Sequence, residues 1–221
     1  TSEAREYALT DGQDKLQVRL EAPGPEGIKT VKTLTFHRGS YVIDVSHEIV
    51  NGSAAPIAAH AYFQLLRDGK APPGDSAMVS TYTGAAIYTE QEKFQKLAFG
   101  DLDKGKVSVP KATDSGWIAM LQHYFVSAWL PKEKSQREYY AKRLEENLYS
   151  VGVILPVAAI PPNARGGVSI SLYAGPQEQD ALKSIAPGLD LVVDYGWLTV
   201  VAAPLFWLLQ FFYKWVGNWG V

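Results

Sequence analysis

Between positions 16 and 173 apolar and polar residues alternate with a period of two over short stretches, the pattern of β-strands with one face buried. The clearest is "YVIDVSHEIV", where Tyr41, Ile43, Val45, His47 and Ile49 share one face and Val42, Asp44, Ser46, Glu48 and Val50 the other. Flanking "HRGS" and "NGSAAP" are turn chemistry, because glycine takes positive φ freely and proline cannot continue a ladder. The same pattern predicts strands at 16–21, 31–36, 57–66, 78–82, 148–155 and 168–173. Turns such as "GPEG", "DGKAPPG" and "PPNARGG" separate many of them. Strands at this spacing pack by default as a two-sheet antiparallel sandwich.

Two stretches break the period. Thr89 followed by Glu92 has the spacing of a capping box, and Phe94 and Leu97 follow at helical spacing, predicting a helix over 89–99. Pro176 opens a second helical stretch over 176–186, with Leu182 and Ile185 on one face and Pro187-Gly188 as its stop. "WIAMLQHYFVSAWLP" fits either period. Its aromatic and β-branched content, in a strand-rich chain, favours one long or kinked strand over a helix. "KEKSQREYYAKRLEEN" mixes both charge signs and reads as a solvated hairpin or loop rather than a docking patch.

The end of the chain follows neither period. Positions 197–216 carry one charge, Lys214, over close to the ~20 residues that span a bilayer. Pro204 divides this run. Beyond it, 205–216 predicts a helix with a narrow polar stripe of Gln210 and Lys214, with Leu205, Leu208, Leu209, Phe212 and Val216 opposite. Four of the six tryptophans, Trp197, Trp207, Trp215 and Trp219, fall here, and tryptophan favours the headgroup level of a membrane. Three readings stay open: a helix lying flat at the membrane surface, a membrane span, and a helix buried in the domain. The residue pattern favours the first. The membrane-interface residues it nominates are Trp197, Leu205, Trp207, Leu208, Leu209, Phe211, Phe212, Trp215 and Trp219.

Composition narrows the function classes. The 221 residues are 47% hydrophobic and 20% charged, which suits a globular domain and not a polytopic membrane protein. A net charge of -2 offers no basic footprint for nucleic acid. The absence of cysteine excludes disulfides and thiolate chemistry. No catalytic, cofactor-binding or metal-ligating set is legible. His37, His47, His60 and His123 are scattered without ligand spacing, and His47, on the apolar face of its strand, reads as a hydrogen-bonded core or cleft residue rather than a ligand. Asp44 and Glu48 share a strand face but stand roughly 13 Å apart, too far for a glycosidase pair from this strand alone, which leaves open a pair assembled from different strands. The chain is therefore expected not to be an enzyme. "TSEAREYALT" has no signal-peptide pattern and reads as an excised start, with "GNWGV" an excised end.

At this point the residues resemble a known family. "GPQEQDALKSIAPGLDLVVDYGWLTVVAAPLFWLLQFFYKWVGNWG" is similar to the junction between the large periplasmic domain and the membrane core in Gram-negative members of the YidC/Oxa/Alb family of membrane protein insertases. "KTLTFHRGSYVIDVSHEIVN", "YTGAAIYTEQEKFQKLAF" and "GWIAMLQHYFVSAWLP" are similar to upstream segments of that domain in the same order. The resemblance implies a mainly β fold, an antiparallel β-supersandwich of galactose mutarotase-like type with short helices and a C-terminal amphipathic helix. It implies three regions: a sandwich over 1–175 that lacks its first strands, a helical linker over 176–196 packed on it, and an interfacial helix over 197–221 leading to an absent transmembrane core. It further implies a non-enzymatic role at the periplasmic face of the bacterial inner membrane, as part of a multi-pass protein. The implied partners are the Sec translocon, its SecDF accessory complex, nascent inner-membrane proteins and the bilayer surface, with no cofactor. The stretch 81–130 is the candidate partner contact. The family's hydrophilic groove and groove arginine lie in the core and are missing from this sequence. A sandwich module that binds carbohydrate or polypeptide in a cleft is the alternative, and a mutarotase-type enzyme would need a histidine and a carboxylate converging in one cleft.

Overall fold

The computed structural model describes residues 6–70, 82–193 and 199–217, with side chains in the last segment from 204 on, except 206. Eleven strands occupy most of these residues: β1 (Lys15–Pro23), β2 (Lys29–His37), β3 (Val42–Val50), β4 (Ile57–Asp68), β5 (Gly84–Thr89), β6 (Lys93–Leu97), β7 (Trp117–Gln122), β8 (Phe125–Leu130), β9 (Glu138–Glu145), β10 (Leu148–Ile160) and β11 (Arg165–Pro176). They form an eight-stranded sheet in the order β1-β2-β3-β11-β8-β7-β5-β6 and a three-stranded sheet β4-β10-β9. The pairings are antiparallel. The chain is thus a mainly β antiparallel sandwich, as its period-two pattern predicts. The predicted strand at 78–82 lies outside the described residues except for Tyr82, which belongs to no strand.

Two apolar clusters hold the sheets. One lies between them and contains Val45, Phe63, Ile87, Ile118, Met120, Val151 and Ile170. The other covers the opposite face of the large sheet, where Trp117, Ala119, Leu121, Val126, Ala128 and Tyr173 meet Leu182, Leu189 and Val192. Those three belong to a strap made of α2 (Gln179–Ile185) and a 3-10 turn (Leu189–Val192). The Trp117 indole N–H donates to the Pro187 carbonyl at 2.9 Å, and Gln177 donates its backbone N–H to Tyr124 O at 2.9 Å. Gly188, at φ 71°, lies so close to the Tyr88 ring that a Cβ there would stand 2.6 Å from it.

The strand β7 is therefore buried on both faces: Ile118 and Met120 point to the first cluster, Trp117, Ala119 and Leu121 to the second. A strand with two buried faces reads as a continuous apolar run. The predicted single strand over this stretch is instead a hairpin of β7 and β8, turning at His123-Tyr124, a pair with no glycine, proline or asparagine to mark it.

The helix predicted over 89–99 is replaced by the β5–β6 hairpin. The local bond behind the prediction does form, with Glu92 N–H donating to Thr89 Oγ1 at 3.0 Å. It closes a hairpin turn in which Lys93 takes φ 58°. Phe94 packs toward the second cluster and Leu97 into the first, opposite faces as residues three apart in a strand require. Only then does the short α1 (Phe99–Asp103) begin. The charged stretch after Pro131 is likewise only half solvated. Its second half is β9, one arm of a hairpin with β10, and Arg137 and Tyr139 are buried. Four carbonyls, of Pro131, Glu133, Ser135 and Asp114, accept from the Arg137 guanidinium. Burial pushes the Tyr139 phenol up to about 12.

Candidate membrane-interface site

The final helix, α3, runs Thr199–Val216 without a break at Pro204, so the division expected there does not occur. Proline lacks one N–H, and early in the helix that loss is confined to the first turns. At 3.6 residues per turn, Gln210 and Lys214 lie on one line of the helix, and Leu205, Leu208, Leu209, Phe212 and Val216 cluster opposite. These five are exposed, as are Phe211, Trp207 at 66% and Trp215 at 80%. Trp207, Phe211 and Trp215 form a ladder along one flank, with ring centroids 5.9 and 6.3 Å apart. Seven of the nine nominated interface residues are thereby placed on one exposed helix. Trp197 and Trp219 lie outside the described residues. Among those residues no helix is long and apolar enough to cross a membrane.

The candidate chemistry distributes differently. His37 Nε2 stands 2.8 Å from Asp44 Oδ2, while Ser171 Oγ donates to Asp44 Oδ1 at 2.7 Å. The Ser171 hydrogen bond, then that from His37, and the charge of Lys132 hold the Asp44 carboxyl below its usual range. A histidine and a carboxylate do meet, then, but as neighbours on β2 and β3. The carboxylate sits between serine and histidine, so the imidazole cannot take the serine's proton. A cleft of about 470 Å³ beside Trp117, Lys132 and Ser171 is lined by neither His37 nor Asp44. This pair escapes sequence analysis because Asp44 is compared there with Glu48 on its own strand, while the partner is supplied by the β2–β3 pairing.

His47 is a cleft residue, its ring tilted against Phe63 with centroids 4.9 Å apart. Contrary to expectation its Nε2 is buried without a hydrogen bond, and burial, helped by Lys32, lowers its pKa. Among the described residues no three histidine, aspartate or glutamate side chains gather where they could hold a metal ion.

A two-sheet antiparallel sandwich strapped across one face and followed by an exposed, largely apolar helix defines a β-sandwich domain with a C-terminal apolar helix. Residues 1–208 match the family described as YidC periplasmic domain, and the chain belongs to that family. It is 61% identical over 221 residues to the "Membrane protein insertase YidC" of Nitrosospira multiformis, covering 100% of this chain and 39% of that protein. The protein of the same name from Dechloromonas aromatica is 58% identical, over 96% of this chain and 39% of its own length. The chain thus spans about two fifths of these relatives. Among solved structures it is similar to a galactose mutarotase related enzyme from Lactobacillus acidophilus, with TM-score 0.47 and 7% identity over 76% of this chain and 71% of that one. No site residue is carried over from that likeness.

Proposed function

We propose that this chain is a non-enzymatic platform of a membrane protein insertase, resting on the periplasmic surface of the bacterial inner membrane through α3. In this reading 1–175 is the sandwich, 176–196 the linker and 197–221 the interfacial element of a multi-pass protein. The observation that carries the reading is α3 itself. Leu205, Leu208, Leu209, Phe212 and Val216 lie exposed opposite Gln210 and Lys214. Each large apolar side chain contributes roughly 1.5 to 3 kcal/mol when fully buried, so a helix carrying five of them together is poorly matched to water and well matched to the headgroup and acyl boundary. The family's name supports an insertase context, in which the Sec translocon, SecDF and nascent inner-membrane proteins are the proposed partners. The role of the sandwich is to fold, contact partners and help inserted proteins mature, with no turnover of its own.

The test is liposome flotation of the 221-residue chain. Replacing Leu208, Leu209 and Phe212 together by serine is expected to weaken binding at least about a hundredfold, since tenfold corresponds to about 1.4 kcal/mol. The melting of the sandwich stays in place. Unchanged binding together with collapse of the whole domain would make α3 core structure and end the membrane-surface reading.

A further inference from the structure

The cleft of about 470 Å³ beside Trp117 lies on the strap side of the large sheet, where β7 begins and β8 ends. Its floor is apolar, made of Val42, Tyr88, Trp117 and Leu130, with Tyr88 and Trp117 stacked at 5.9 Å between centroids. Ile185, Ala186 and Pro187 of the strap close one side. Every wall belongs to a described element, and the strands beneath, β3, β11, β8, β7 and β5, each have a neighbour on both sides. A strand added at an edge only widens a sheet, so the cleft does not depend on which strand stands outermost.

Charge is sorted around this floor by wall. Glu90 and Asp114 come from the segments that follow β5 and precede β7, while Lys132, Glu133 and Lys134 come from the loop after β8. Lys132 stands 3.6 Å from Asp44 Oδ1. Among the described residues Glu90, Asp114, Glu133 and Lys134 make no ion pair.

Arg137 also lines the cleft, and it is 3% exposed. Its guanidinium donates to four carbonyls and, among the described residues, pairs with no carboxylate. Carbonyls satisfy its N–H groups but leave its positive charge uncompensated, and buried charges are normally paired. The loop wall therefore joins Lys132, Lys134 and Arg137 to the single carboxylate of Glu133, whereas the wall at the ends of β5 and β7 has two carboxylates and no cation.

From these features we infer that the cleft binds a short polypeptide segment in which a large apolar side chain stands between a basic and an acidic residue. The apolar side chain enters over Tyr88, Leu130 and Ile185. Its acidic neighbour turns to Lys134, in the field of Arg137, and its basic neighbour to Glu90 and Asp114. Ligand pockets run from roughly 300 to 1,000 Å³, and one of this size holds a few residues and no folded element. Carbohydrate fits less well, since it brings no charge to either wall and Trp117, 2% exposed, offers it no open ring face. Polypeptide partners come from the platform reading, on which this site rests, but the site uses the sandwich and not α3.

The 221-residue chain is titrated by NMR, without lipid, with the capped peptides Gly-Lys-Leu-Glu-Gly and Gly-Glu-Leu-Lys-Gly, one for each chain direction. The amide signals of Gly116, Leu130 and Ala186, which line different sides of the cleft, are expected to move and to saturate together. Peptides centred on Lys-Leu-Lys, Glu-Leu-Glu or Lys-Ser-Glu should bind at least about fivefold more weakly than the better of the first two. Lys134→Glu should weaken that peptide and strengthen Lys-Leu-Lys, and Glu90→Lys should shift the preference toward Glu-Leu-Glu. Both side chains are exposed, and a merely structural role would move no such preference. Equal binding of all the peptides would make the cleft an unselective apolar pocket and overturn the inference. So would unmoved signals at Gly116, Leu130 and Ala186, or tighter binding there of dispersed short-chain phosphatidylethanolamine, which carries the same two charges on a lipid. The variant with serine at Leu208, Leu209 and Phe212 should bind the peptide as the parent does, while Lys134→Glu leaves liposome flotation unchanged, so that this site and the α3 reading fail separately. Loss of peptide binding in the serine variant would place the peptide on α3 and likewise overturn the inference.

Discussion

Leu182 and Leu189 offer the sharpest test of how the strap belongs to the domain. Both are fully buried, and both sit on the sheet face built from Trp117, Leu121, Val126 and Tyr173. Replacing a buried leucine by alanine costs about 2 to 5 kcal/mol, the range reflecting how far the cavity collapses. If the strap could peel away on its own, the loss would be limited to its docking and the sandwich would melt as before. Peeling, however, would uncover Trp117 and Tyr173, two of the largest fully buried side chains, and would break the Trp117 bond to Pro187 O. Strap and sandwich should therefore unfold together. In a domain of this size about 2 to 4 °C of Tm corresponds to each kcal/mol, so Leu182→Ala and Leu189→Ala should each lower Tm by roughly 4 to 20 °C, with the urea m-value unchanged. The assay is far-UV circular dichroism melting with tryptophan fluorescence as a second probe, since Trp117 lies beneath the strap. A Tm within about 1 °C of the parent for both variants, or a fluorescence change that precedes the loss of β signal by several degrees, would refute the reasoning.

Gly116 holds φ 95°, and a Cβ there would overlap the Tyr88 carbonyl. Gly116→Ala should lose at least about 3 kcal/mol, seen as a Tm lower by about 6 °C or more, and a shift under about 2 °C would mean that β5 and the start of β7 approach less closely. Asp44 has its carboxyl pKa lowered by Ser171 and His37, so its contribution is present above the unfolded value of about 3.9 and fades as pH falls through the lower folded value. Asp44→Asn should accordingly melt below the parent at about pH 7, with the gap closing as pH falls below about 4; a gap that is constant from about pH 7 to about pH 3 would rule out this linkage.

What could be read from the sequence was what short-range periodicity encodes. The two faces of β3 differ enough in polarity to be told apart, with Val45 going to the core and Asp44 to a polar cluster. The helical stretch after Pro176 carries its own stop signal. In β7 the same method loses the turn, because burial on both faces removes the polar half of the alternation. At Thr89 the hydrogen bond is predicted correctly and the element is not, since one side-chain cap serves a helix start and a hairpin turn alike. Arg137 looks solvated by its charged neighbours, yet its hydrogen bonds go to carbonyls that only the folded loop gathers. The α3 residues were legible because amphipathicity is a property of one segment. The order of strands in the two sheets was not, because pairing between distant segments leaves no mark on either segment alone.

The place where the strap leaves the sandwich has a mechanical consequence. It continues from the end of β11, which lies between β3 and β8 inside the large sheet, with nine residue pairs to one neighbour and six to the other. Tension drawn through α2 and directed along β11 loads both ladders in shear, so many hydrogen bonds must yield at once. A pull on an edge strand, across its ladder, would open them singly. Any load passed through the strap thus meets the part of the sheet best able to bear it, and the hook of Gln177 onto the β7–β8 turn takes a share.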